Sequence, residues 1–239
     1  MRPVLELSGP RITSSFEKLL NSSDDQGGVE AFVTAIKFKK SIFEEALNAS
    51  NIPNLTEETF LGLCAFIAPV RRRVGSWIEV NDFSKLHTYL AHLLTGVRDG
   101  SDVDNRIKAF CGQFPQDKSH RWVRDLAAEF LHFSDMEQYP LMTRWVWDQS
   151  ANTGVVREIW YADDIDHINL EIPDTYETHL VLREELSQFL ASNGVFRDVL
   201  YYVDLLLAQI YADYISEQGG SFLRTDFSSE LDPLEFTRR

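Results

Sequence analysis

Apolar positions along the chain recur mostly with the three-to-four spacing of an amphipathic helix, and helix signals outnumber strand signals throughout. Ser14-x-x-Glu17 has the form of a capping box before a run ending at Leu20. After Gly27-Gly28, the stretch Val29–Asn48 predicts one or two helices carrying Phe32, Ile36, Ile42 and Phe43. Thr56 is placed to cap a helix over Glu57–Ala68, with Pro69 as its stop. Asp82 or Ser84 opens a helix through Leu86, Leu90, Leu93 and Leu94 to about Val97, and Ser101-x-x-Asp104 opens another that ends before Pro115. Lys118–Phe133 is strongly amphipathic. Tyr139–Gln149 and Thr153–Tyr161 read as short tryptophan-bearing helices. Asp174 with Glu177 opens a helix that Asn193-Gly194 closes, and Val195–Glu217 follows at once, stopping at Gly219-Gly220. That last pair predicts a tight C-terminal αα-hairpin.

Strand signals are confined to Val4–Leu7, Trp77–Val80 and Ile168–Ile172, and only the last alternates cleanly. The expectation is a mainly α, multi-helix orthogonal bundle with at most a small sheet of short strands. Asp232-Pro233-Leu234-Glu235 has the form of a helix start a few residues before the last residue, as in a docking arm or a piece of a longer protein.

Charge changes this picture by being local. The net charge is −14. Residues 1–119 carry 14 Lys/Arg and 15 Asp/Glu, whereas residues 120–239 carry 9 and 22. No lysine follows Lys118, so every later cation is an arginine. The composition changes at 112–119, which marks a sub-boundary within a single domain spanning 1–239. A field of this sign repels phosphate backbones, making nucleic acid an unfavourable partner for the second half. It suits a basic protein, or the basic clusters of the first half, in this chain or a second copy.

Composition narrows the class further. Cys64 and Cys111 cannot build a disulfide framework, the first ten residues lack the form of a signal peptide, and the apolar run Phe60–Val70 is too short to span a bilayer. These features predict a soluble, cytoplasmic chain. No nucleophile elbow, P-loop, dinucleotide fingerprint or Cys-x-x-Cys motif occurs.

Candidate chemistry is sparse. Glu129-x-x-His132 has the spacing of di-metal bundle proteins, yet Arg121, Asp125, Glu129 and His132 form one stripe opposite Trp122, Leu126, Phe130 and Phe133. That geometry predicts a solvated face. Asp163, Asp164, Asp166 and His167 offer three carboxylates and an imidazole in five residues, enough oxygen to hold a divalent metal although no cofactor is expected.

In the last helix Asp198 and Asp213 lie within about 60° of each other on a helical wheel, while Asp204 points the opposite way among leucines and tyrosines. A carboxylate there needs an arginine or a hydrogen-bond donor to meet it. Tyr139, Trp145, Trp147, Trp160 and Tyr161 suggest a core or a protein hot spot, and Lys37-x-Lys39-Lys40 and Arg71-Arg72-Arg73 suggest solvated faces or sites for an acidic partner. The leading expectation is a non-enzymatic interaction or assembly protein that uses Asp198, Asp204, Asp213, Trp145, Trp147, Trp160 and Arg71–Arg73. The alternatives are a metal-dependent helical enzyme and, further off, a nucleic-acid mimic.

Overall fold

The structure is a computed structural model that describes residues 2–23, 27–95, 100–162 and 167–226, with side chains described as far as 217. Eleven α-helices are found among the described residues, with no strand or sheet. They are α1 (Gly9–Ser23), α2 (Val29–Leu47), α3 (Glu57–Cys64), α4 (Ala68–Arg71), α5 (Val74–Ile78), α6 (Phe83–Leu94), α7 (Val103–Cys111), α8 (Trp122–Ser134), α9 (Val155–Glu158), α10 (Tyr176–Ser192) and α11 (Val199–Asp226). No described helix is long and apolar enough to cross a membrane.

Local chemistry sets several helix ends. Thr56 Oγ1 accepts the Thr59 N–H at 3.2 Å, and Asp82 accepts the Ser84 N–H at 2.9 Å, each satisfying a donor that the first helical turn leaves open. Other expected boundaries move. Ser14 and Glu17 lie inside α1, which begins at Gly9, so they form no capping box. Pro69 sits in the first turn of α4, where its missing N–H costs nothing, instead of ending α3. The N-cap of α10 is Thr175, and α11 starts at Val199 and runs through Gly219-Gly220. A helical glycine costs about 1 kcal/mol relative to alanine, which weakens a helix without stopping it.

The expected short strands do not form a sheet. Trp77 and Ile78 belong to α5. Leu7 makes an isolated antiparallel bridge to Trp160, flanked by the Ser8 N–H on Ile159 O at 2.7 Å and the Tyr161 N–H on Glu6 O at 2.8 Å. Ile168, Asn169 and Leu170 pair instead with side chains, through Asn152 and Arg157. The 139–149 segment is not helical. Pro140 disfavours a helical Tyr139, and the chain then turns so that Asp148 and Thr153 bridge.

Two apolar clusters make the interior. The first gathers α3 to α8 with the end of α2, around Phe43, Phe60 and Phe130, whose rings meet edge-on or tilted at 5.5–5.6 Å. Phe110, Phe114 and Trp122 pack across the 112–119 segment, so the composition change lies inside this cluster. The second joins the N-terminal helix to the C-terminal third: Phe16, Val33, Trp147, Leu186 and Leu206 belong to it. α8 is the centre of the first and α11 of the second, and Tyr201 touches both. The polar stripe of α8 lies between them.

Candidate functional site

Eleven of the thirteen α8 residues are buried, including Asp125, Glu129 and His132 at 5%, 8% and 2% exposure. The stripe expected to face solvent is therefore interior. Each buried charge needs a partner, and other elements supply them.

Lys39 from α2 donates to Glu129 Oε2 at 2.8 Å, with its ammonium 4.0 Å from the centroid of the Phe133 ring. His132 Nδ1 donates to Tyr139 O at 2.8 Å, and its Nε2 meets Asp204 Oδ2 at 2.9 Å. Asp204 is thus buried at 8% exposure and satisfied by a donor from α8. Burial disfavours the imidazolium, but the Asp204 carboxylate outweighs that and raises the His132 pKa. Both His132 nitrogens and the Glu129 carboxylate are thereby engaged within the chain, and Glu129 and His132 point to different partners.

Asp125 is the exception. Its Oδ1 accepts the backbone N–H of Arg144 at 2.9 Å, the one hydrogen bond it makes among the described residues. Burial pushes its pKa up to about 6, against the lowering effect of that hydrogen bond and of the neighbouring arginines. With Glu129 one turn away, it floors an open cleft of about 700 Å³ between α8 and α11. Trp145 and Tyr211 form one wall, their rings 5.4 Å apart, and Tyr214 lies 6.2 Å beyond Tyr211. Phe66 and Ile215, 46% and 50% exposed, also line it.

The loop after Trp145 holds this wall in place. Asp148 takes Arg144 on Oδ2 and the Ser150 hydroxyl and Ala151 N–H on Oδ1, closing a tight turn. Gly154 then passes at φ 119°, where a Cβ would lie 2.7 Å from Val146 O. Only glycine admits that approach. It lets Val155 and Val156 donate to the carbonyls of Trp145 and Val146 at 3.1 Å.

The remaining candidates separate. Trp145 lines the cleft and packs against the second cluster, to which Trp160 and the wholly buried Trp147, its Nε1 on Ile172 O at 3.1 Å, belong. Tyr139 packs in the first cluster and Tyr161 is exposed, so the two tyrosines stand apart from the three tryptophans. Asp198 pairs with Lys37 at 2.7 Å, and Asp213 with Lys18 at 3.2 Å and the Ser15 hydroxyl at 2.9 Å. Arg71, Arg72 and Arg73 are exposed at the end of α4. Asp163, Asp164 and Asp166 lie outside the described residues. His167 is exposed, and no group of three metal-competent side chains occurs among the described residues.

No family model, curated protein or solved structure matches the chain. The site must be read from its own geometry.

Arg144, Asp148, Tyr211 and Tyr214 were not singled out from the sequence, and Asp125 was placed there only on a solvated stripe. A signal for Asp125 exists: between Trp122 and Phe133 only Arg124, Asp125, Glu129 and His132 are polar, too narrow a stripe for a surface helix.

Proposed function

We propose that this protein is a non-enzymatic binding protein whose α8–α11 cleft receives a protonated amine, presented as a lysine side chain by a basic segment of a partner protein. The observation that carries this reading is Asp125: a buried carboxylate with no ion pair to a side-chain cation among the described residues, at the floor of an aromatic-walled cleft. Such a carboxylate gains most from an incoming cation, and the faces of Trp145, Tyr211 and Tyr214 attract the same charge.

The fold already contains a small version of this arrangement, since Lys39 sits between the Glu129 carboxylate and the Phe133 ring. Two features favour a polypeptide over a free amine. Phe66 and Ile215 offer apolar surface at the cleft, and the strongly negative second half attracts a basic partner over a distance set by ionic strength.

Calorimetric titration with a lysine-bearing peptide, its acetyl-lysine counterpart and butylamine tests the reading. The unmodified peptide is expected to bind, and acetylation or Asp125→Asn to weaken it about tenfold or more, the equivalent of one lost charged hydrogen bond. Binding needs the ionised carboxylate, so it should decline as pH falls below about 6. Equal binding of the acetylated peptide would refute the assignment, and butylamine binding as tightly as the peptide would reassign the cleft to small amines.

A further inference from the structure

The Arg144–Asp148 ion pair has a second side. Both residues also line another cleft, of about 410 Å³, that runs from the 112–119 segment to the start of α8. Its composition is opposite to that of its surroundings. The half of the chain from residue 120 carries only nine cations, yet Arg121, Arg124 and Arg144 all line this one cleft, joined by Lys118 and His120. Against them stand Asp117 and Asp148.

Those two carboxylates are already engaged. Asp117 accepts the Ser119 hydroxyl at 2.6 Å and His120 Nδ1 at 2.9 Å, which holds its pKa down to about 2. Asp148 is occupied by Arg144, Ser150 and Ala151. Arg124 is positioned by a two-pronged contact with Asp174, and its buried Nε has no hydrogen-bond partner among the described residues. Lys118 and Arg121 are exposed, and neither meets a carboxylate among the described residues. The N-terminal turn of α8, a thirteen-residue helix without a side-chain cap, opens at the same place and favours negative charge.

We propose that this cleft binds a small phosphate-bearing ligand. Arg144 is matched by Asp148 and Arg124 by Asp174. Lys118 and Arg121, which meet no carboxylate among the described residues, therefore face Asp117 alone and leave an excess of positive charge, and arginine forks match the oxygens of a phosphate. A long nucleic-acid backbone would also meet the acidic field of this half, whereas one phosphate group sees mainly the local cations. The site is independent of the amine reading, although the two clefts share the Arg144–Asp148 wall.

Calorimetric titration of the full chain with inorganic phosphate, at low ionic strength in a phosphate-free buffer, tests it. A single saturable site is expected. The double variant Lys118→Ala/Arg121→Ala changes two exposed side chains, so the fold is not at stake, and it should weaken binding about tenfold or more. Asp125→Asn takes negative charge away from Arg124 and Arg144, so it should weaken amine binding without weakening phosphate binding, which separates failure of one site from failure of the other. Arg71→Ala/Arg72→Ala removes the same charge elsewhere and should have little effect. Absence of saturable binding at millimolar phosphate, or equal weakening by the control variant, would overturn the proposal.

Discussion

α8 and α11 each carry carboxylates among apolar residues, and the same helical-wheel argument gives opposite outcomes on them. On α11 it separates Asp204, which is buried, from Asp213, which reaches Lys18 at the surface. On α8 it assigns Asp125, Glu129 and His132 to solvent, and all three are buried. A wheel reports which residues share a face, but whether that face meets water depends on what packs there. On α8 the polar stripe faces α2, the 139–148 segment and α11, and Lys39, the Arg144 N–H and Asp204 arrive from those elements to meet it.

The comparison can be broken most directly at the point where the two helices touch. Asp204→Ala leaves His132 without its carboxylate in the interior, and the expected cost is about 3–5 kcal/mol in urea unfolding, because one half of a buried pair then stays behind. A loss below about 1 kcal/mol would show that α8 and α11 are not held together by this pair.

Asp125 should behave in the opposite sense. Its pKa is raised from 3.8 to about 6 in the folded state. Folding therefore favours the protonated form, and stability is lost as pH rises between those values. Asp125→Asn keeps an acceptor for the Arg144 N–H and removes the charge, so stability at pH 8 should rise by about 1–3 kcal/mol. Gained stability together with lost amine binding is the signature of a residue kept for a ligand at a cost to the fold. If the variant is destabilised instead, Asp125 is structural.

His132 sharpens the contrast through pH. Its folded pKa is raised above its unfolded value, with burial opposing and Asp204 prevailing. Its contribution is fully present below about pH 6.5 and is lost as pH climbs through the raised folded value. Stability measured across that window should fall in the parent protein, and the fall should be smaller in His132→Gln. The surface pair gives the smallest effect. Asp213→Ala should cost less than about 1 kcal/mol, since Lys18 is half exposed and Asp213 is partly solvated.

How legible the molecule was follows the same line. The helical class, the end of α10 near Asn193-Gly194 and the caps at Thr56 and Asp82 are short-range chemistry, and they are visible in a few neighbouring residues. The short strands failed because strand formation needs a partner edge, which Ile168–Ile172 does not find among the described residues. Trp145 was named from the sequence, but its place beside Asp148 was hidden for another reason: the 139–149 segment has aromatic and β-branched residues that fit either element, and only the Gly154 turn fixes their direction. The cleft combines α8, α11, the Trp145 loop and residues 66–69, which lie far apart in sequence.

By itself the sequence determined that this chain folds as helices, that its negative charge lies in the second half, and that Asp204 requires a partner. Those results depend on local propensity, composition and the cost of burying a lone charge, all of which can be evaluated one segment at a time. The tertiary structure decided which partner came, that Asp125, Glu129 and His132 are interior, and that Asp125 is met there by a backbone N–H and by no side-chain cation among the described residues. Burial and pairing are properties of what neighbours a residue in space, and distant segments supply those neighbours.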